Sequence, residues 1–107
     1  MFVPSPRNEL RAHFLAFANA TRLRILERLG NVGEENVNDL AAHLRMSQPH
    51  ISWHLRTLRL GGVIRTRREG RQVYCSLDID NIARFRARLD QLLGIEEEMK
   101  VREEVRA

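Results

Sequence analysis

Residues 37–77, VNDLAAHLRMSQPHISWHLRTLRLGGVIRTRREGRQVYCSL, constrain the fold more than any other part of the chain, because the spacing of their apolar residues changes partway along. Leu40, Ala41 and Leu44 mark a short helix that Asn38 or a neighbour caps. Ser47 is suited to cap the next helix, and Pro49 falls in its first turn, where a missing N–H costs nothing. Ile51, Leu55 and Leu58, spaced i, i+4, i+7, give that helix an apolar stripe, and Gly61-Gly62 stops it. Two β-rich runs follow around a turn at Glu69-Gly70, with Val73, Cys75 and Leu77 alternating on one face. Two helices joined by a tight turn (38–60), with a hairpin directly behind them (63–77), predict a winged helix-turn-helix.

The flanking segments are helical in pattern. Pro4 and Pro6 predict a loose arm over residues 1–6, and Leu10, Phe14 and Phe17 recur at helical spacing over about 8–18. Asn19 is a plausible cap for a second helix carrying Leu23, Ile25, Leu26 and Leu29 and ending at Gly30. NVGEEN reads as a polar turn. Asp78 or Asp80 caps a long last helix, about 80–104, with Ile82, Phe85, Leu89, Leu92 and Met99 near period 3.5 and Gly94 weakening it partway. The expected architecture is mainly α with a β-hairpin wing: four helices, a hairpin and a last helix in one domain over 1–107. The stripe Ile82, Phe85, Leu89 and Leu92, added to Leu10, Phe14 and Phe17, exceeds what one small domain covers. It predicts a homodimer paired through the first and last helices; the alternative is that both fold onto their own domain.

The 107 residues carry 18 Lys and Arg against 14 Asp and Glu, a net charge of +4. Where the charge sits is more informative than its sum. Between Arg45 and Arg71 lie Arg56, Arg59, Arg65, Arg67 and Arg68, with Glu69 the only acid, and Lys100 is the only lysine of the chain. Arginine forks suit phosphate and base-edge contacts. If Ile51, Leu55 and Leu58 face the core, then Pro49, Trp53 and Arg56 point away from it, flanked by His50 and Thr57 on one side and Ser52 on the other. That outer face carries hydrogen-bonding groups, one aromatic and no acid, which suits the major groove of double-stranded DNA. Gln48, His50, Ser52 and Arg56 are positioned to bond base edges, and Trp53 to pack on sugar or methyl. The arginines at the hairpin tip are suited to phosphates, although charge there also protects a sheet edge. The competing reading of the Trp53 face is a protein-docking surface.

ANATRLRILERLG, followed by residues 37–77, closely resembles the ArsR-type (ArsR/SmtB-like) winged-helix repressors, whose pattern runs "DPTRLRIL", "ELA…LGLSQSTVSHHLKVLREAGLV" and "RREGRWVYY". The resemblance covers residues 10–77 almost without gaps. It implies a homodimeric bacterial repressor that binds an imperfect palindromic operator, with the first and last helices at the dimer interface. By position, Ser47, Gln48, His50, Ser52 and Trp53 match the family's recognition-helix contacts, and Arg67, Arg68 and Arg71 its wing contacts. Two departures stand out. Arg45 occupies a turn position where the family often has Gly, and Trp53 replaces a commonly polar residue.

Metal sensing in such relatives uses Cys-x-Cys on the third helix or Asp and His pairs on the last. Neither set is present in VNDLAAHLR or in the chain after Asp80, so no metal site and no cofactor is expected. His50 and His54 lie i, i+4 as in zinc-binding helices, yet DNA contact for His50 and packing for His54 are the simpler expectations. His13 with a partner's carboxylates is a weaker metal candidate, and a metal-responsive repressor with an atypical intersubunit site is the alternative within the class. Cys75, the single cysteine, excludes an intramolecular disulfide, fits a cytoplasmic setting and is expected to be a packing residue. No Gly-rich phosphate loop, nucleophile elbow, signal peptide or membrane span is apparent, so neither an enzyme nor a membrane protein is expected.

Overall fold

In a computed structural model, which describes residues 5–106, the chain forms six helices and a three-stranded sheet. The order is α1 (Pro6–Phe17), α2 (Ala20–Val32), β1 (Glu34–Asn36), α3 (Val37–Leu44), α4 (Gln48–Leu60), β2 (Ile64–Glu69), β3 (Gln72–Leu77), α5 (Ile79–Leu93) and α6 (Glu96–Arg106). Short polar side chains start most of the helices. Ser5, Asn19, Asn36, Ser47 and Asp78 each accept a backbone N–H of the first turn. The stripe Ile51, Leu55 and Leu58 is buried as its spacing predicts, among Ile25, Leu29, Leu40, Val63 and Cys75.

Several expectations from sequence need correction. The first helix begins at Pro6, capped by Ser5, so the predicted arm is partly helical; its residues 1–4 lie outside the described residues. The second helix runs past Gly30 to Val32 and ends on Gly33 at φ 85°. The segment expected as a polar turn contains β1, which pairs antiparallel with β3, Glu35 opposite Cys75, and makes the sheet order β1-β3-β2. The cap of α3 is Asn36, which also places Val37 against the core.

The largest correction concerns the C-terminal helix expected over 80–104. Gly94 takes the left-handed conformation at φ 70°, and its N–H and that of Ile95 bond back to Gln91 and Asp90, closing α5 and starting α6 separately. A heptad-like stripe does not keep a helix straight through a residue that so readily adopts positive φ.

α1 packs on both α4 and α5, and Asn81 of α5 donates to Gly62 O just after α4. Gly61 lets α1 approach: a Cβ there would stand 2.9 Å from both Ala12 O and Ala16 Cβ. Phe85 of α5 stacks on His13 of α1 with ring centroids 4.0 Å apart, and is only 9% exposed. Phe85, expected at a dimer surface, is thus mostly covered within its own chain, and Phe17 and Ile82 pack partly against the core. Leu10, Phe14 and Leu89 are half-buried, and Leu92 is exposed.

Candidate nucleic-acid interface

The turn between α3 and α4 decides how α4 is presented. Arg45 takes φ 55°, the left-handed conformation a glycine would adopt freely, and its N–H caps α3. Ser47 then caps α4 by accepting the His50 N–H at 3.3 Å. With Ile51, His54, Leu55 and Leu58 buried, the opposite face leaves Gln48, His50, Ser52, Trp53 and Arg56 exposed. Trp53 is 62% exposed, and its ring meets that of His54 edge-on at 5.1 Å.

Between α4 and the hairpin runs an open groove of about 540 Å³. Gln48, Ser52, Arg56 and Arg59 line it from α4, Arg67, Arg68 and Arg71 from the hairpin, and Asn36 and Asn38 from the start of α3; no carboxylate belongs to the lining. Of the expected contact residues, Gln48, Ser52, Arg56, Arg67, Arg68 and Arg71 therefore share one concave surface. Ser47, His50 and Trp53 stand outside it, on the N-terminal half of the helix. Arg59 and Asn38 also belong to the surface. Arg59 belongs to the run of arginines in the sequence, but residue order alone does not distinguish it as a groove residue.

The arginines are not equivalent. Arg67 is bound to Glu34 of β1 at 2.6 Å and to Glu69 at 2.8 Å, and its guanidinium lies 4.4 Å from the Tyr74 ring centre. These carboxylates raise the Arg67 pKa further, and in return the Arg67 hydrogen bond holds Glu34 below the usual carboxylate range. Arg56, Arg59, Arg68 and Arg71 have no carboxylate partner among the described residues. Gln48 donates its amide N–H to Asn38 Oδ1, tying the start of α4 to α3.

The two histidines of α4 differ in burial, His54 packed and His50 exposed, yet they touch one another. His54 is fully packed, at 4% exposure, with its Nδ1 3.3 Å from Arg22 Nη1 and its Nε2 3.2 Å from Nε2 of the exposed His50. Arg22, itself buried, also donates to the carbonyls of Ala16 and Leu15 at the end of α1. Sequence reading missed Arg22, since an arginine on a helix normally signals solvent. Its one clue was the position Thr21-Arg22 at the start of α2, inside the segment that carries the resemblance. His13 is buried with Nδ1 2.7 Å from Gly61 O, while its Nε2 has no hydrogen-bond partner among the described residues. Burial lowers its pKa, with the Arg88 charge adding to the effect and the Gly61 bond opposing it.

Cys75 is fully buried, and burial, followed by the charge of Glu34, pushes its thiol up to about 11, which keeps it a neutral packing group. Among the described residues no three His, Cys, Asp or Glu side chains cluster closely enough to hold a metal, and no helix is long and apolar enough to cross a membrane.

Known proteins resemble this chain in sequence and in fold. The sequence profile of a family described as "Bacterial regulatory protein, arsR family" matches residues 19–66. The biofilm growth-associated repressor of Agrobacterium fabrum is 36% identical over 88 residues, covering 78% of this chain and 74% of the repressor. The HTH-type transcriptional regulator KmtR of Mycobacterium tuberculosis is 35% identical over 69 residues, 64% of this chain, which spans about half of that relative, 52%. Among solved structures, the homodimeric winged helix-turn-helix DNA-binding domain of a possible ArsR-family regulator from Mycobacterium bovis superposes with a TM-score of 0.67. It is 29% identical, with 90% of this chain and 93% of that one covered.

Proposed function

The chain belongs to the ArsR family of bacterial regulatory proteins, and from that premise we propose that it is a homodimeric, sequence-specific repressor that binds double-stranded DNA and blocks a promoter by occupying it. The observation that carries this reading is the carboxylate-free groove between α4 and the hairpin, lined by Arg56, Arg59, Arg67, Arg68 and Arg71. Two kinds of group lie in and beside it. The polar face of α4 (Gln48, His50, Ser52 and Trp53, with Arg56) is suited to base edges in the major groove, and the hairpin arginines to flanking phosphates.

Pairing of two chains accounts for the apolar surface that one protomer leaves open. Leu92 and Leu93 at the end of α5 are each 59% exposed, and Met99, Val101 and Val105 of α6 are exposed as well. A twofold through α1 and α5 sets two copies of α4 about one DNA turn, roughly 34 Å, or a multiple of it apart, which requires an imperfect palindrome in the operator. A cytoplasmic location follows from the same reading, because the target is the chromosome. Nothing in the groove resembles a catalytic arrangement, so the reading is of a binding protein.

A salt series on DNA tests the proposal. The probe is the duplex that the protein enriches from a randomised library, and the logarithm of its affinity should fall linearly with log salt, as expected when several phosphate contacts displace counterions. Trp53→Ala and Arg68→Ala should each weaken binding. A folded dimer that enriches no sequence, or binds with no salt dependence, would sink the repressor reading and favour a protein partner for the Trp53 face.

A further inference from the structure

The contact of Arg22, His54 and His50 has a directional consequence. A guanidinium has only donors, so His54 Nδ1, 3.3 Å from Arg22 Nη1, is an unprotonated acceptor. A neutral imidazole carries one N–H, which in His54 must then be on Nε2. That nitrogen lies 3.2 Å from His50 Nε2, which must accept. The proton of His50 is left on Nδ1. Each assignment follows from the one before, and the chain starts at a cation that does not deprotonate. Burial, with the Arg22 charge adding to it, holds the His54 pKa below its ordinary value, which keeps the middle of the relay neutral.

The relay is anchored. Arg22 Nε donates to Ala16 O at 2.8 Å and Nη2 to Leu15 O at 3.1 Å, so the guanidinium is held by the end of α1 as well as by α4. Trp53 packs edge-on against the His54 ring and helps keep His54 at 4% exposure. This gives the exposed Trp53 a role that the sequence pattern left without explanation.

We infer that Arg22 and His54 are positioning residues that lock His50 in its Nδ1–H tautomer, so that His50 presents a donor, never an acceptor, to a base in the major groove. The inference rests on the DNA-binding reading and deepens it. His50 is the third residue of α4, and the N-terminal residues of a recognition helix are those that meet base edges. A donor there selects guanine N7 or O6, adenine N7 or thymine O4 and discriminates against the amino groups of adenine and cytosine. The neighbouring Gln48 amide already donates to Asn38, so His50 supplies a donor of fixed identity at this end of the helix.

Two measurements on the full-length protein test it. Long-range proton–nitrogen correlation of the imidazoles should show His54 as the Nε2–H form and His50 as the Nδ1–H form. His54→Leu should release His50 to the Nε2–H form that prevails in water. His54→Gln, whose amide N–H falls near the position of Nε2, should keep His50 in the Nδ1–H form. On the duplex that the wild-type protein enriches from a randomised library, His54→Leu should lower affinity about tenfold and flatten the preference at one base pair per half-site. His54→Gln should restore both, which a loss of packing would not do. An Nε2–H His50 in the wild type, or an unchanged base preference in a folded His54→Leu, overturns the inference. So does a loss that is equal for all sequences, since it would place the donor on a phosphate. Failure to enrich any duplex while His50 remains Nδ1–H overturns the DNA-binding premise, and the base assignment with it, but not the relay.

Discussion

Arginine 67 and arginine 68 are adjacent in sequence and differ in what they have left to give. Two carboxylates and an aromatic face already engage Arg67, whereas Arg68 and Arg71 reach the groove with no carboxylate partner among the described residues. Arg68→Ala and Arg71→Ala should therefore each weaken DNA binding and reduce the slope of log affinity against log salt by about 1. Arg67→Ala should change that slope less, and should loosen the contact of the hairpin with β1 instead. Affinity titrations at three or four salt concentrations separate the two effects. The buried histidines give a second prediction. His13 and His54 both have lowered pKa values, so the unfolded chain binds their protons first as the pH falls. Their contribution is fully present above the ordinary histidine value of about 6.5 and is lost as the pH drops below it toward the folded values. Urea midpoints between pH 8 and pH 5 should fall on the acid side, and His13→Phe should flatten part of that slope.

At the scale of elements, caps and glycines decide where helices begin and end. Ser47→Ala removes the acceptor for the His50 N–H and should cost about 1 kcal/mol, read from denaturant unfolding, with fraying at the start of α4. Gly62, at φ 72°, is the more severe position. A Cβ there would lie 2.3 Å from Asn81 Nδ2, the group that donates to Gly62 O at 2.8 Å and holds α5 to the end of α4. Gly62→Ala combines backbone strain with that clash and should cost more than about 1 kcal/mol. Much of this scale is legible in sequence, because a cap acts over three residues and an apolar stripe over two turns. Ser47, the stripe Ile51, Leu55 and Leu58, and the turn at Gly70 are local in that sense. β1 is not. Glu34–Asn36 has no alternation of its own and becomes a strand only because β3 offers it an edge. Nor is the break at Gly94, since a glycine in a helical pattern is compatible with either continuation or a stop.

At the scale of the whole molecule, the open apolar surface is smaller than the stripe suggests, and shifted toward the C-terminus. Phe85 is used inside the protomer, while Leu92 and Leu93 remain outside. A Leu92→Glu, Leu93→Glu double variant should keep its fold yet sediment as a monomer, and should bind DNA far more weakly because only one recognition helix engages at a time. A variant that stays dimeric would place the interface elsewhere. The winged helix-turn-helix, the caps Asn19 and Ser47, the buried stripe of α4 and the run of arginines could all be read from residue order, because each rests on periodicity, capping or charge within a few turns of chain. Which arginines are already paired, which histidine faces which, and where Arg22 ends could not. Those depend on contacts between residues far apart in sequence: Glu34 with Arg67, Arg22 with His54, His13 with Phe85. Side-chain chemistry sets what such groups are able to do, and only the packing of α1, α2 and β1 around α4 and the hairpin selects the partner that each one meets.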